Sequence, residues 1–222
     1  VTSLNDNALT TLAAVEQMIP DYTKGASAGD DSRLTRFINA ASRLFAQVAD
    51  RKFHRKSGHE ERVRAYGTPE LYVSEFLPID SIDSIEWNVA GTSDEVDADN
   101  YEIFNAETGY IHADGVWSDT GLRQSGIVQG VKAGAQRPIY LVTYTGGWIT
   151  PKQDDDGVGT RDLPADIEQA ILDQVTFMED RHDAGFHVSK VSMDDGSVTY
   201  MKGRPVMPSF VHTVRSYRLV DV

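Results

Sequence analysis

Apolar residues recur at steps of three and four in three stretches of the chain and alternate between the second and third, which predicts helices flanking a β region. Leu9, Leu12, Val15 and Ile19 share one helical face, with Asp6 or Asn7 as N-cap and Pro20 as the stop. The connection Asp21 to Asp31, which contains Gly25-Ala26-Ser27-Ala28-Gly29, predicts a mobile link. Leu34, Phe37, Ile38, Ala41, Leu44, Phe45 and Val48 then form a longer amphipathic stripe, entered through Asp30, Asp31 or Ser32. The third helix begins at Leu163-Pro164. Ile167, Ala170, Ile171, Val175 and Met178 share its face, Asp166 and Glu168 sit where the dipole favours acids, and Arg181 and His182 close it before Gly185.

From His54 to Arg137 the period becomes strand-like. Glu61 to Tyr66 and Glu70 to Phe76 flank the turn Gly67-Thr68-Pro69, and Ile79, Ile82, Ile85 and Trp87 form a ladder around Asp80 to Val89. Asn100 to Phe104 and Gly109 to His112 predict a hairpin, Asp114 to Gly126 a loop, and Ile127 to Val131 another strand. Pro138 to Thr145 is nearly all aromatic, β-branched or apolar, which predicts a strand covered on both faces, turned by Gly146-Gly147. Lys152 to Arg161, with three consecutive aspartates, predicts a loop.

Beyond the late helix, Phe186 to Met193 and Ser197 to Tyr200 alternate around Asp194-Asp195-Gly196, a hairpin pattern. Gly203 to Pro208 is extended, and Pro208 to Leu219 carries Phe210, Val211, Val214, Tyr217 and Leu219 at helical spacing. So apolar a terminus either folds back onto the core or docks on a partner. The fold class expected is α+β: a helical core (1–53 and 160–184), a small antiparallel β domain (54–150, a sandwich or barrel), and a C-terminal hairpin and extended arm (185–222).

Charge narrows the function classes. Twenty-one Lys and Arg against 34 Asp and Glu give a net charge of −13, which disfavours a protein that grips phosphates over a broad face. An acidic wall around a channel would instead let DNA pass without sticking. The chain has no cysteine, which excludes disulfides, zinc-thiolate sites and thiol catalysis. No signal-peptide pattern opens it and no apolar run reaches the roughly 18 residues of a membrane span. A soluble, unexported protein without membrane contact is expected. Arg33, Arg36 and Arg43, with Arg51 and Lys52 beyond, concentrate positive charge on one helix, either as a solvated face or as a binding patch.

Enzyme motifs are missing. The chain carries no phosphate-cradling Gly-x-x-x-x-Gly-Lys-Ser/Thr, no Gly-x-Gly-x-x-Gly after a strand and no Gly-x-Ser-x-Gly elbow, so neither catalysis nor a cofactor is expected. Asp154-Asp155-Asp156-Gly157 misses the ligand spacing of a calcium loop, and Glu179 to Asp183 reads better as a salt-bridged helix end than as a metal site. Trp87, Trp117 and Trp148 serve either as core packing or as sugar-stacking platforms.

The order of these elements resembles the head-tail connector, or adaptor, proteins of tailed bacteriophages. The resemblance rests on Ala40-Ala41-Ser42 with Ala49-Asp50-Arg51-Lys52-Phe53, on Leu71-Tyr72-Val73 with Leu77 to Ile85, and on Asn100 to Ile103 with Gly109-Tyr110-Ile111. Tyr140 to Trp148 followed by Leu163 to Ile167, Ala170-Ile171 and Arg181 carries it furthest, and Pro208 to Val211 with Tyr217-Arg218 adds to it. It implies a structural virion protein forming a ring, usually dodecameric, beneath the portal protein, joining the DNA-filled capsid to a tail or stopper protein. Genomic DNA would pass through the lumen without specific binding, and assembly would take place in the host cytoplasm. It further implies portal contact through the C-terminal arm, at Arg204, Pro205, Met207, Phe210, Val211, Val214, Tyr217 and Arg218, while Arg33, Arg36 and Arg43 meet neighbouring subunits. Asp154 to Arg161 is longer than the family's usual link. The alternatives are a stopper or tail-terminator ring of the same neck, or a carbohydrate-binding or hydrolytic module using Trp117 and Asp155.

Overall fold

The computed structural model describes residues 3–19, 28–89, 92–118, 121–124, 139–183, 190–193, 196–199 and 206–218. They fall into two compact units, a helical one built from 1–50 and 149–220 and a β one from 51–148. The strand expected at Ile127 to Val131, most of the link after Pro20, and Arg204 and Pro205 lie outside the described residues.

The helical unit contains α1 (Leu12–Met18), α2 (Ala28–Ala49), α3 (Pro151–Asp155), α4 (Ala165–Asp183) and α5 (Pro208–Ser216). α1 is capped by Thr11, whose hydroxyl accepts from the Ala14 N–H at 3.2 Å, not by Asp6 or Asn7. Ala8, Leu9 and Thr10 are buried ahead of the helix, and the Leu9 N–H donates to Ser42 Oγ of α2 at 3.1 Å, which delays its start. α2 starts at Ala28, so Asp30 and Asp31 occupy its first turn as dipole-favoured acids. Its buried stripe is Leu34, Ile38, Ala41, Phe45 and Ala49, whereas Phe37 and Leu44 are half-buried and Val48 is 42% exposed. α4 packs Ile167, Ala170, Ile171, Leu172 and Val175 against the other helices, with Met178 at the margin.

Two expectations for this unit change. The acidic run read as a loop opens with α3, because Thr150 and Gln153 form a reciprocal capping box around Pro151 at the first helical position. Lys152 pairs with Asp156 across one turn and offsets part of the acidic repulsion. At the chain end, α5 folds back onto the core rather than extending as part of an arm. Phe210 and Val214 of α5 are 1% and 0% exposed, and the Phe210 ring meets Phe45 edge-on at 5.5 Å. Burying these two side chains contributes roughly 3–6 kcal/mol.

The β unit is antiparallel throughout its named strands. β1 (Lys56–Arg64), β2 (Glu70–Tyr72), β3 (Ile79–Val89), β4 (Thr92–Glu95), β5 (Tyr101–Asn105), β6 (Tyr110–Ala113), β7 (Gly115–Ser118), β8 (Gly121–Gln124) and β9 (Ile139–Gly146) follow in order. They make a four-stranded sheet, β1-β9-β3-β4, a three-stranded sheet, β2-β6-β5, and the pair β7-β8. β9 is central, and on one face Tyr140, Val142 and Tyr144 are sealed. Leu141, Thr143 and Thr145 opposite them are half-covered, so the expectation of two covered faces fails on one side. β1 extends into the polar stretch before Glu61, where its charged residues suit an edge strand.

Asp114 to Gly126 is not a plain loop, since β7 and β8 pair within it. Trp117 anchors β7: it is fully buried, its ring meets Tyr140 at 5.2 Å, and its Nε1–H donates to the Pro69 carbonyl at 3.0 Å. Within the other unit's span of chain, β10 (Lys190–Met193) and β11 (Gly196–Thr199) pair antiparallel, as the hairpin pattern predicts.

Candidate interaction surfaces

The three arginines of α2 separate into two roles. Arg33 donates through Nε to Glu179 Oε2 at 3.1 Å, makes a second, shorter contact to Glu179 Oε1, and reaches Asp30 at 2.9 Å. Glu179 is only 6% exposed, so Arg33 neutralises a carboxylate that α4 could not otherwise bury. Arg33→Ala is therefore expected to destabilise the helical unit by about 1–3 kcal/mol, measured by denaturant unfolding, because it strands that charge. Arg36 and Arg43 are exposed and, among the described residues, unpaired. They stand seven residues apart, two turns of one face, opposite the buried stripe and beside half-buried Phe37 and Leu44 and exposed Val48.

The C-terminal candidates also divide. Phe210 and Val214 are core, and Met207, Val211 and Tyr217 are half-buried. The Met207 N–H donates to Gln174 Oε1 at 2.9 Å, and the Tyr217 hydroxyl donates to the Asp166 carboxylate at 2.8 Å. Arg218 alone of the described set is exposed. These residues hold α5 to α4, which sequence spacing alone does not reveal.

A second surface, unforeseen from the sequence, lies on the three-stranded sheet. Register places Glu70, His112 and Glu102 in one row across β2, β6 and β5, with Tyr72 beside Tyr110 in the next. Leu71 and Ile111 point the other way and are buried. On the outer face the Tyr72 and Tyr110 rings stack at 5.1 Å, and Phe104, 64% exposed, meets Tyr110 at 4.8 Å. The Tyr110 hydroxyl lies 3.2 Å from His112 Nδ1, and desolvation, with the Glu70 charge alongside, pushes the Tyr110 phenol up. Two exposed aromatics, Tyr72 and Phe104, around half-buried Tyr110 and beside two acids make a composition suited to a contact surface.

Inside the β unit, Glu61 latches the segment between β2 and β3. Its carboxylate accepts from the Ser74 N–H, the Ser74 hydroxyl, the Glu75 N–H and the Tyr144 hydroxyl, the last at 2.8 Å. Tyr144 Oη in turn accepts from the Phe76 N–H at 3.1 Å. Burial, chiefly, pushes the Tyr144 phenol far up, with the Glu61 charge adding to it. An unfolded tyrosine ionises near pH ~10, so this stabilisation is complete below that pH and is lost as pH rises beyond it. The β unit is expected to unfold in the alkaline range with a steep limb. Tyr144→Phe should flatten that limb while costing about 1–2 kcal/mol at neutral pH, followed by circular dichroism and phenolate absorbance.

The sugar-platform alternative loses two of its three tryptophans, while Trp87 is half-buried. Trp117 and Trp148 are buried, and Trp148 stacks on Phe53 at 5.6 Å with the Arg51 guanidinium 4.7 Å from its ring. Among the described residues, no helix is long and apolar enough to cross a membrane, and no group of three or more His, Asp or Glu could hold a metal.

The fold is that of chains from phage-like particles. No protein-family model matches the chain, and no curated protein is similar to it in sequence. Among solved structures, a chain in the neck of an empty gene transfer agent (GTA) particle, computed with C6 symmetry, superposes with a TM-score of 0.58 at 16% identity, covering 100% of this chain and 95% of that one. A chain of the virion of the native particle gives 0.54 at 15% identity, with 100% and 95% covered. A chain in the native particle's neck computed with C12 symmetry gives 0.51 at 15%, with 100% and 94% covered.

Proposed function

We propose that the protein is a structural subunit of the neck of a phage-like particle, a head-tail connector that forms a ring under the portal protein and joins capsid to tail. The observation that carries this reading is the end-to-end sharing of fold with the neck chains, 100% of this chain against 95% of the first of them. A fragmentary match would speak only for a common domain. The C6 and C12 symmetries of those necks support a cyclic homo-oligomer, with a dodecamer as its form. The protein acts through assembly rather than catalysis, and the net charge of −13 suits a conduit through which DNA slides.

A stopper ring of the same neck is the second reading, and the two differ in which neighbour is bound. The experiment is the mass in solution, by light scattering, with and without the portal protein of the same genome. A ring-sized or portal-bound species is expected; a monomer indifferent to portal overturns the connector reading. Removing Pro205 to Val222 would also strip Phe210 and Val214 from the core, so Arg204→Glu with Arg218→Glu is the cleaner probe of portal contact.

A further inference from the structure

The exposed aromatic sheet face and the two unpaired arginines of α2 have matching geometry. Glu70 and Glu102 both stand opposite His112, on the strands either side of β6. Two strand spacings separate them by about 9.5 Å. Arg36 and Arg43 lie two helical turns apart, about 10.5 Å along α2. Between the glutamates stands His112, and beside that row lie the stacked Tyr72 and Tyr110 rings and exposed Phe104, surfaces over which guanidinium planes and apolar side chains both settle. Beside the arginines, Phe37 and Leu44 are half-buried, with the Phe37 ring 6.3 Å from His182 of α4, and Val48 is exposed, so the apolar flank is only partly covered within the helical unit.

We propose that copies of this chain join head to tail, with Arg36 and Arg43 of one copy seated on Glu70 and Glu102 of the next, across the Tyr72–Phe104–Tyr110 face. The inference rests on the ring reading above and adds the contact that builds the ring. Two different patches meeting in a heterologous contact generate a closed ring when the rotation closes, which a self-complementary patch does not. Charge selects the occupant: in a chain of net charge −13, an acid-rimmed face is repelled by most of a second copy's surface and attracted by its few free cations. Arg62 and Arg64, also exposed, sit two residues apart on β1, about 6.6 Å, and do not span the glutamate pair.

The test uses two variants of the full chain, Arg36→Glu with Arg43→Glu, and Glu70→Lys with Glu102→Lys. All four positions are exposed, so both variants are expected to fold as the parent does by circular dichroism. Self-association is read by sedimentation and native mass at high protein concentration, where the parent chain is expected to assemble. Each variant alone should lose self-association by more than about a hundredfold, because like charges then face each other. Mixed in equal amounts they should assemble again, alternating one to one, since each now offers what the other lacks. A parent that assembles while either variant also assembles alone, or while the mixture fails to, overturns this contact and leaves the ring reading standing. A parent that stays monomeric overturns this contact, and the connector reading falls with it only if that monomer is also indifferent to portal protein.

Discussion

Gly109→Ala is expected to cost the β unit on the order of 3–5 kcal/mol and to leave much of it unfolded at ordinary temperatures. Gly109 sits at φ +70 in the turn between β5 and β6, and a Cβ there would lie 2.0 Å from the Val73 carbonyl oxygen and 2.9 Å from Leu77 Cδ2. The Val73 oxygen is backbone and cannot swing aside. The same residue's N–H donates to the Gly109 carbonyl at 3.0 Å, so any retreat breaks the hydrogen bond that holds the two segments together. Gly67→Ala is the control. It shares the left-handed backbone, φ +75, but has nothing within 4 Å of its Cβ, so only the conformational cost of about 1–2 kcal/mol applies. Urea denaturation of both variants isolates the steric part; equal losses would show that the Val73 contact is not as close as described.

Phe210→Ala is expected to lower stability by about 3–5 kcal/mol, as for other fully buried phenylalanines. Phe210 fills space against Phe45 of α2, and its removal opens a cavity between helices that the short α5 has little surface left to close. Val211→Ala, one position along and only half-buried, should cost about 1 kcal/mol or less. Thermal unfolding distinguishes them. If Phe210→Ala melted with the parent, α5 would be bound by its edge residues alone, and the chain end would revert to a docking arm.

The regular elements were legible wherever one side of an element is apolar and the other is not. α2, α4, the hairpin of β5 and β6, and β9 declare themselves in this way, and Pro164 and Gly146 mark two of their ends. What was not legible depends on contacts distant in sequence. β7 is short, and its one large side chain, Trp117, has its partners at Pro69 and Tyr140. α3 is signalled by Thr150-Pro151-Lys152-Gln153, a capping box that the three aspartates after it obscure. The same holds for the surfaces. Arg33 and Arg36 look alike in sequence, and only the approach of Glu179, 146 residues later, separates a helix-to-helix ion pair from a free cation. Glu70, Tyr72, Glu102, Phe104 and Tyr110 carry no local signal at all, since register alone gathers them on one face.

The attachment of α5 has a consequence for how the chain survives being cut. The polypeptide leaves α4 at Asp183 and returns to it by residue 207, where Met207 is bonded to Gln174, and then adds Phe210, Val214 and the Tyr217 bond to Asp166. A single peptide-bond cleavage between 184 and 205 would divide the chain into two fragments without removing any of those contacts. The C-terminal fragment would then behave as a ligand of the rest, retained or lost by mass action. A peptide beginning near residue 205 should restore a chain truncated there, and its affinity would measure directly the hold of α5 on the helical unit.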